Sequence, residues 1–176
     1  MRQQLQTTPI KGPNSMNLTF RAAVPADVPV IAEFNIAMAA ESEGLRLDPE
    51  TVRRGVEHAV VHPEQGRYFL AVLDGRVVGQ LMITYEWSDW RNKVFWWMQS
   101  VYVHHEFRGR SVFRRLYQHV ESLARQDPGV CGIRLYVHHD NHRAMATYEG
   151  LGMTPADYHV YKADWSGFER GGQGHG

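Results

Sequence analysis

The stretch Val101–Leu116, VYVHHEFRGRSVFRRL, holds the residue types best suited to chemistry in this chain. An apolar run ends in a basic, glycine-containing turn, and an amphipathic helix starts directly after it. Backbone N–H groups at a helix N-terminus converge on one spot, and the helix dipole favours negative charge there. Arg108 and Arg110 add positive charge to the turn. This pattern suits a phosphate or pyrophosphate group, although a basic surface turn that only caps a helix has the same composition. A second concentration lies at Asn141–Met153, NHRAMATYEGLGM. Asn141 is a natural N-cap, and Tyr148 shares a helix face with Ala144 and Leu151.

Proton acceptors are available at Glu41, Glu43, Glu86 and His104. Glu41 and Glu43 fall in ESEGLRL, read as a loop, where two carboxylates can attract an ammonium group or relay its proton through water. The same residues also describe a solvated acidic loop. Tyr85, Trp87, Trp90, Trp96 and Trp97 gather around one turn, as an acceptor pocket wall or as core and dimer contacts. The pairs His104-His105 and His138-His139, with His142, lack a completing ligand spacing, so no metal site is expected. Cys131 has no nucleophile context and reads as a buried strand residue.

The elements that position these residues follow from periodicity. Asn17–Arg21 is a weak first strand. A helix follows from about Val28 to Ala40, and a second begins at Asp48-Pro49 and stops before Pro63. Tyr68–Leu73 and Arg76–Glu86 form a hairpin on the Asp74-Gly75 turn. Val94–Val103 is nearly continuously apolar, as in a strand covered on both faces. Val112, Leu116, Tyr117, Val120 and Leu123 mark a helix ended by Asp127-Pro128-Gly129. Val130–His138 is a strand, the helix after Asn141 is short, and Tyr158–Lys162 (YHVYK) reads as a last strand. The order is βααβββαβαβ. The expected architecture is a single α/β (α+β) domain: a mixed central sheet of about six to seven strands with helices on both faces and at least one parallel pair.

Bulk properties bound the function. The chain has 176 residues, 19 basic and 19 acidic side chains and one cysteine. Zero formal charge gives no field to draw nucleic acid or anionic membrane. No apolar run reaches transmembrane length, and residues 1–16 lack the apolar core of a signal peptide. The expectation is a cytoplasmic protein with a folded domain over 17–165, flanked by disordered tails at 1–16 and 166–176.

Two motifs resemble those of the GNAT superfamily of N-acetyltransferases, and the resemblance covers about residues 17–163. The turn Arg108-Gly109-Arg110-Ser111-Val112-Phe113 is similar to that family's Arg/Gln-x-x-Gly-x-Gly/Ala pattern, with Ser111 and Phe113 standing where small residues are usual. The segment from Asn141 through Ala144, Tyr148, Gly152 and Met153 is similar to the family's second motif. The resemblance implies acetyl-CoA as co-substrate, with the backbone of Arg108, Gly109, Arg110, Ser111, Val112 and Phe113 around the pyrophosphate. It implies pantetheine along Val101, Tyr102 and Val103, at a bulge where this strand splays from Arg134–Val137. Asn141 serves as a cofactor contact or as an N-cap, and Tyr148 as the acid that protonates the leaving thiolate or as a core aromatic. Glu41 and Glu43 border the acceptor site as base or amine-binding groups. The implied acceptor is a primary amine on a small molecule or peptide, with a homodimer possible. The alternative is an acyl-CoA-binding regulatory or sensor module of the same fold without catalysis.

Overall fold

The computed structural model describes residues 17–165. The terminal stretches 1–16 and 166–176, expected to be disordered tails, lie outside the described residues. The strands are β1 (Leu18–Ala22), β2 (Arg67–Leu73), β3 (Arg76–Ser88), β4 (Lys93–Val103) and β5 (Val130–Arg134). The helices are α1 (Val28–Glu43), α2 (Pro49–Val61), α3 (Val112–Gln126) and α4 (His142–Glu149). The five strands form one sheet in chain order, antiparallel throughout except for the parallel β4–β5 pair. The β4–α3–β5 crossover makes that parallel pair possible.

Local signals explain most boundaries. Asp48 caps α2 by accepting from the Thr51 backbone N–H at 2.8 Å and its hydroxyl at 2.6 Å. Asp74 and Gly75 both take positive φ, 48° and 85°, so the β2–β3 turn has the twist that a two-residue hairpin needs. Both sheet faces are covered. Val28, Ile31 and Val56 pack with Tyr68 and Leu70 on the α1/α2 face. Leu116 and Val120 of α3 pack with Leu81, Ile83 and Met98 on the other. Gly79 permits close docking of α3: a Cβ there would stand 3.3 Å from both the Tyr102 carbonyl and Val112 Cγ1.

Three expectations need correction. Helix α1 continues through Glu43, so Glu41 and Glu43 sit on its last turn rather than in a loop. Good helix formers run to Glu43, and Gly44, at φ 66°, closes the helix in the left-handed conformation. Strand β5 ends at Arg134, not His138, because its pairing with β4 stops there. Tyr158–Lys162 is not a strand, since among the described residues no partner strand pairs with it. The sheet therefore has five strands instead of six to seven. Among the described residues no helix is long and apolar enough to cross a membrane.

Candidate active site

Strands β4 and β5 pair from Val94↔Val130 to Trp97↔Arg134 and then part. On the opposite edge of β4, the pairs Gln80↔Tyr102 and Met82↔Gln99 leave Leu81 facing both Ser100 and Val101. This is a β-bulge, and Ser100 adopts a φ of 51° within it. Beyond Trp97, β4 thus presents main-chain groups to a side that β5 no longer covers, along the stretch that includes Val101, Tyr102 and Val103.

The bulge rests on polar groups that the sequence did not single out. Gln80 is fully buried; its Nε2 donates to Asn35 Oδ1 at 2.8 Å and lies 3.4 Å from the Ser100 carbonyl. Asn35 Nδ2 donates to the Tyr68 hydroxyl at 2.9 Å. Tyr68 also hydrogen-bonds the Ser100 side chain, and burial pushes its phenol above the usual value. A lone glutamine inside the apolar run VVGQLMI was the available signal.

After β4 the chain makes a short 3-10 turn at His105–Phe107 and enters the basic loop. Gly109 and Ser111 have φ of 76° and 58°, flanking Arg110. Ser111 therefore holds a left-handed conformation that suits glycine. It makes no side-chain cap, so the first N–H groups of α3 take no side-chain partner from it. At Gly109 nothing lies within 4 Å of where a Cβ would stand. Phe113 fits by turning inward, with its ring 6.3 Å from Tyr117 and edge-on to Tyr148 at 5.9 Å.

Arg108 is held by its own protein. Its Nη2 meets Glu41 Oε2 at 2.6 Å, its Nε donates to the Val103 carbonyl at 2.8 Å, and its guanidinium lies 5.2 Å from the centre of the Tyr102 ring. The other Glu41 oxygen accepts from the Tyr102 hydroxyl at 2.7 Å. These two donors, Tyr102 first, hold the Glu41 carboxyl below its ordinary range. Arg110 instead lies over the Phe107 ring at 5.6 Å. Glu43 is exposed at the end of the same helix turn. His104 packs 4.4 Å from His105; burial, then His105, lower its pKa and favour the neutral ring.

On α4, Asn141 Oδ1 accepts from the Ala144 N–H at 3.1 Å, so its carbonyl acts as the N-cap. Arg114 Nη1 donates to the Gly150 carbonyl at 3.2 Å and ties α4 to α3. Tyr148 packs against the core cluster, and burial pushes its phenol above 10.0.

A further group forms at the fork between β4 and β5. Glu86 accepts from Arg134 Nη1 at 2.6 Å and from the Trp97 indole N–H. Arg134 sits 3.7 Å above the Phe95 ring, and Trp97 lies 4.8 Å from Tyr136. The other tryptophans do not join it: Trp96 is buried, while Trp87 and Trp90 are 60% and 86% exposed. His138, His139 and Asp140 bring potential ligand atoms within 4.8 Å of one another on the surface. There His138 Nδ1 already accepts the Asp140 N–H at 3.3 Å.

Comparison with known proteins gives the same architecture. Residues 33–153 match the Acetyltransferase (GNAT) family. A solved structure described as a possible acetyltransferase from Clostridium difficile 630 is 39% identical, with a TM-score of 0.80 over 84% of this chain and 97% of that one. A predicted acetyltransferase from Clostridium acetobutylicum, solved with acetyl-CoA, is 12% identical, with a TM-score of 0.68 over 83% of this chain and 96% of its own. The ribosomal-protein-alanine N-acetyltransferase of Brucella melitensis biovar Abortus 2308 is 16% identical, with a TM-score of 0.67 over 84% of this chain and 99% of its own. Comparison with curated proteins gives no significant match. With its parted parallel strands, its left-handed loop before α3 and a family match over most of its described length, this chain belongs to the GNAT acetyltransferase family.

Proposed function

We propose that this protein transfers the acetyl group of acetyl-CoA to a primary amine on a small molecule or peptide, in the cytoplasm. The observation that carries this reading is the open edge of β4 beyond Trp97, which leads directly to the Gly109–Ser111 loop and the N-terminus of α3. An extended pantetheine can add to that edge as a strand would, using main-chain groups of Val101 and Val103. The pyrophosphate then meets the amides from Arg108 to Phe113 and the positive end of the α3 dipole. The uncapped helix start and the open space at Gly109 fit that group. The Clostridium acetobutylicum structure with acetyl-CoA shares this fold, which supports the choice of co-substrate.

Arg108 contributes to the loop through its backbone, because its guanidinium is engaged with Glu41. Arg110 supplies the loop's positive charge. Asn141 acts first as a cap, and by holding α4 it sets the position of Tyr148.

The reaction needs no covalent enzyme intermediate. The neutral amine nitrogen bonds to the thioester carbonyl carbon, the carbon–sulfur bond breaks, and the sulfur takes a proton from the Tyr148 hydroxyl. The amine gives its surplus proton to solvent, and the Tyr148 phenolate takes one back from solvent, which restores the acid. Burial keeps Tyr148 protonated through the neutral range, as an acid requires. Glu43, exposed on the last turn of α1, supplies negative charge that draws an ammonium substrate to the site. Glu41, held as a carboxylate by Tyr102 and Arg108 with its charge offset by Arg108, positions β4 and the loop rather than acting as a base. Alignment of the two reactants supplies most of the rate enhancement. The N-acetyl activity of the Brucella protein, which shares the fold, supports an amine acceptor.

Thermal unfolding with increasing acetyl-CoA tests the reading. Binding to the folded state alone stabilises by about 2.7 kcal/mol at a hundredfold excess over Kd. An unfolding temperature that stays flat up to millimolar acetyl-CoA would overturn it.

A further inference from the structure

The ion pair at the fork between β4 and β5 takes no part in the proposed acetyl transfer, yet its geometry leaves one charged group facing outward. Ile83, Trp96, Met98 and Ile133 belong to the core cluster beneath α3. Glu86, Trp97 and Arg134 are out of phase with them along their strands and so project from the opposite face. Helices α1 and α2 leave this corner of that face open: the Arg134 and Glu86 side chains are 34% and 38% exposed.

Arg134 is held in a fixed plane. Gly132 makes room for the Phe95 ring, since a Cβ there would stand 2.8 Å from a ring carbon. The guanidinium lies 3.7 Å above that ring, and its Nη1 donates to Glu86 Oε1 at 2.6 Å. The other Glu86 oxygen accepts from the Trp97 indole N–H, so both carboxylate oxygens are engaged. Arg134 Nε and Nη2, by contrast, have no hydrogen-bond partner among the described residues. A stacked guanidinium with a free pair of donors suits a carboxylate, which it can bind with two parallel bonds. A cation would find Glu86 already occupied and Arg134 repelling it. Beside this fork the Trp97 and Tyr136 rings, 4.8 Å apart, form an aromatic wall, and Tyr136 is 60% exposed.

The distance to the bulge sets the size of the ligand. Trp97 and Phe95 precede Ser100 on β4, and at the strand rise they lie about 10 and 16 Å from it. Gln99 continues the same row between them and the bulge, donating to Thr84 Oγ1 at 3.2 Å. We propose that Arg134 binds a carboxylate of the acceptor, and that the acceptor is a short acidic peptide whose free N-terminal amine lies at the bulge. This rests on acetyl transfer taking place there, as in the proposed function. An extended peptide of roughly three to five residues covers the distance from the bulge to Arg134. A free α-amino acid is too short to place its amine and its carboxylate at both ends. The middle of the peptide lies against the Trp97–Tyr136 wall.

Tetra-alanine and its C-terminal amide test this separately from the chemistry. Isothermal calorimetry in the presence of free coenzyme A reads peptide binding with no reaction. The free acid is expected to bind at least about tenfold more tightly than the amide, the scale of hydrogen bonds to a charged group. Arg134→Gln, in protein that still binds coenzyme A, is expected to bring the acid down to the affinity of the amide. No binding of the acid, equal affinity for acid and amide in the wild type, or a preference that survives in Arg134→Gln overturns the proposal. The wild-type comparison decides even where Arg134→Gln fails to fold. Thiol release from acetyl-CoA with the same two peptides then tells the two readings apart. Arg134-dependent binding of the acid without any release upholds the recognition and removes the transfer. Release with the same KM for acid and amide upholds the transfer and removes the recognition.

Discussion

Glu41 and Arg108, sixty-seven positions apart in sequence, meet at 2.6 Å and tie the end of α1 to the loop before α3. The same carboxylate accepts from Tyr102 on β4, so one side chain joins three elements around the proposed cofactor edge. Both charged partners are well exposed, 44% for Glu41 and 40% for Arg108. Solvent screening therefore limits the pair to about 1 kcal/mol or less. Glu41→Gln should lower stability by that amount at neutral pH. The folded-state pKa of Glu41 lies below its ordinary 4.5, so its contribution is complete above that pH and is lost as pH falls through the depressed value. Unfolding of wild type and Glu41→Gln from pH 7 to pH 3 should show the two curves converging at the acid end. A constant gap would show that the ionised carboxylate is not what stabilises.

Tyr148→Phe should lower turnover by roughly a hundredfold or more, the usual scale for losing a positioned acid, with acetyl-CoA affinity nearly unchanged. Because burial raises the phenol above 10.0, wild-type activity should not fall through loss of this proton until pH passes that value. Steady-state rates of both proteins against pH check both points. Unchanged turnover in Tyr148→Phe would remove the acid role.

Ser111 holds a φ of 58°, where a side chain is disfavoured by roughly 1–2 kcal/mol. Ser111→Gly should relieve that strain. After the added unfolded-state entropy of glycine, a gain of up to about 1 kcal/mol should remain. Ser111→Val should destabilise, because a β-branched residue fits this conformation badly. Denaturant unfolding of the three proteins checks the order glycine, serine, valine.

Much of this was legible in the sequence, and the omissions have common causes. The Asp74-Gly75 hairpin and the Asp48 and Asn141 caps are local, set by residues within a few positions of each other. Ser111 was visible as a departure from the expected small residue, but its left-handed conformation was not, because backbone φ at a serine is set by the fold around it. The Glu41–Arg108 pair and the Gln80–Asn35–Tyr68–Ser100 group were not visible, because each joins residues far apart in the chain. The length of α1 was underestimated because Glu-Ser-Glu reads as loop composition, although Gly44 is what ends the helix. The YHVYK segment carries a strand pattern, but a strand also needs a neighbour, which periodicity alone does not supply.

Gln80→Leu tests the polar support of the bulge. It leaves Asn35 Oδ1 without its 2.8 Å donor in a partly buried place, which costs about 1 kcal/mol. If this network sets the position of β4, the acetyl-CoA KM of the folded variant should also rise. Unfolding free energy and steady-state kinetics on the same preparation check the pair of effects.

The central claim is acetyl transfer to an amine, and its most direct measurement is thiol release from acetyl-CoA across a panel of primary amines, with the acetylated product verified by mass spectrometry. The proposed function predicts release that depends on both enzyme and amine, and that falls in Tyr148→Phe. Acetyl-CoA binding without amine-dependent release for any member of a broad panel would contradict it and favour a binding module of the same fold.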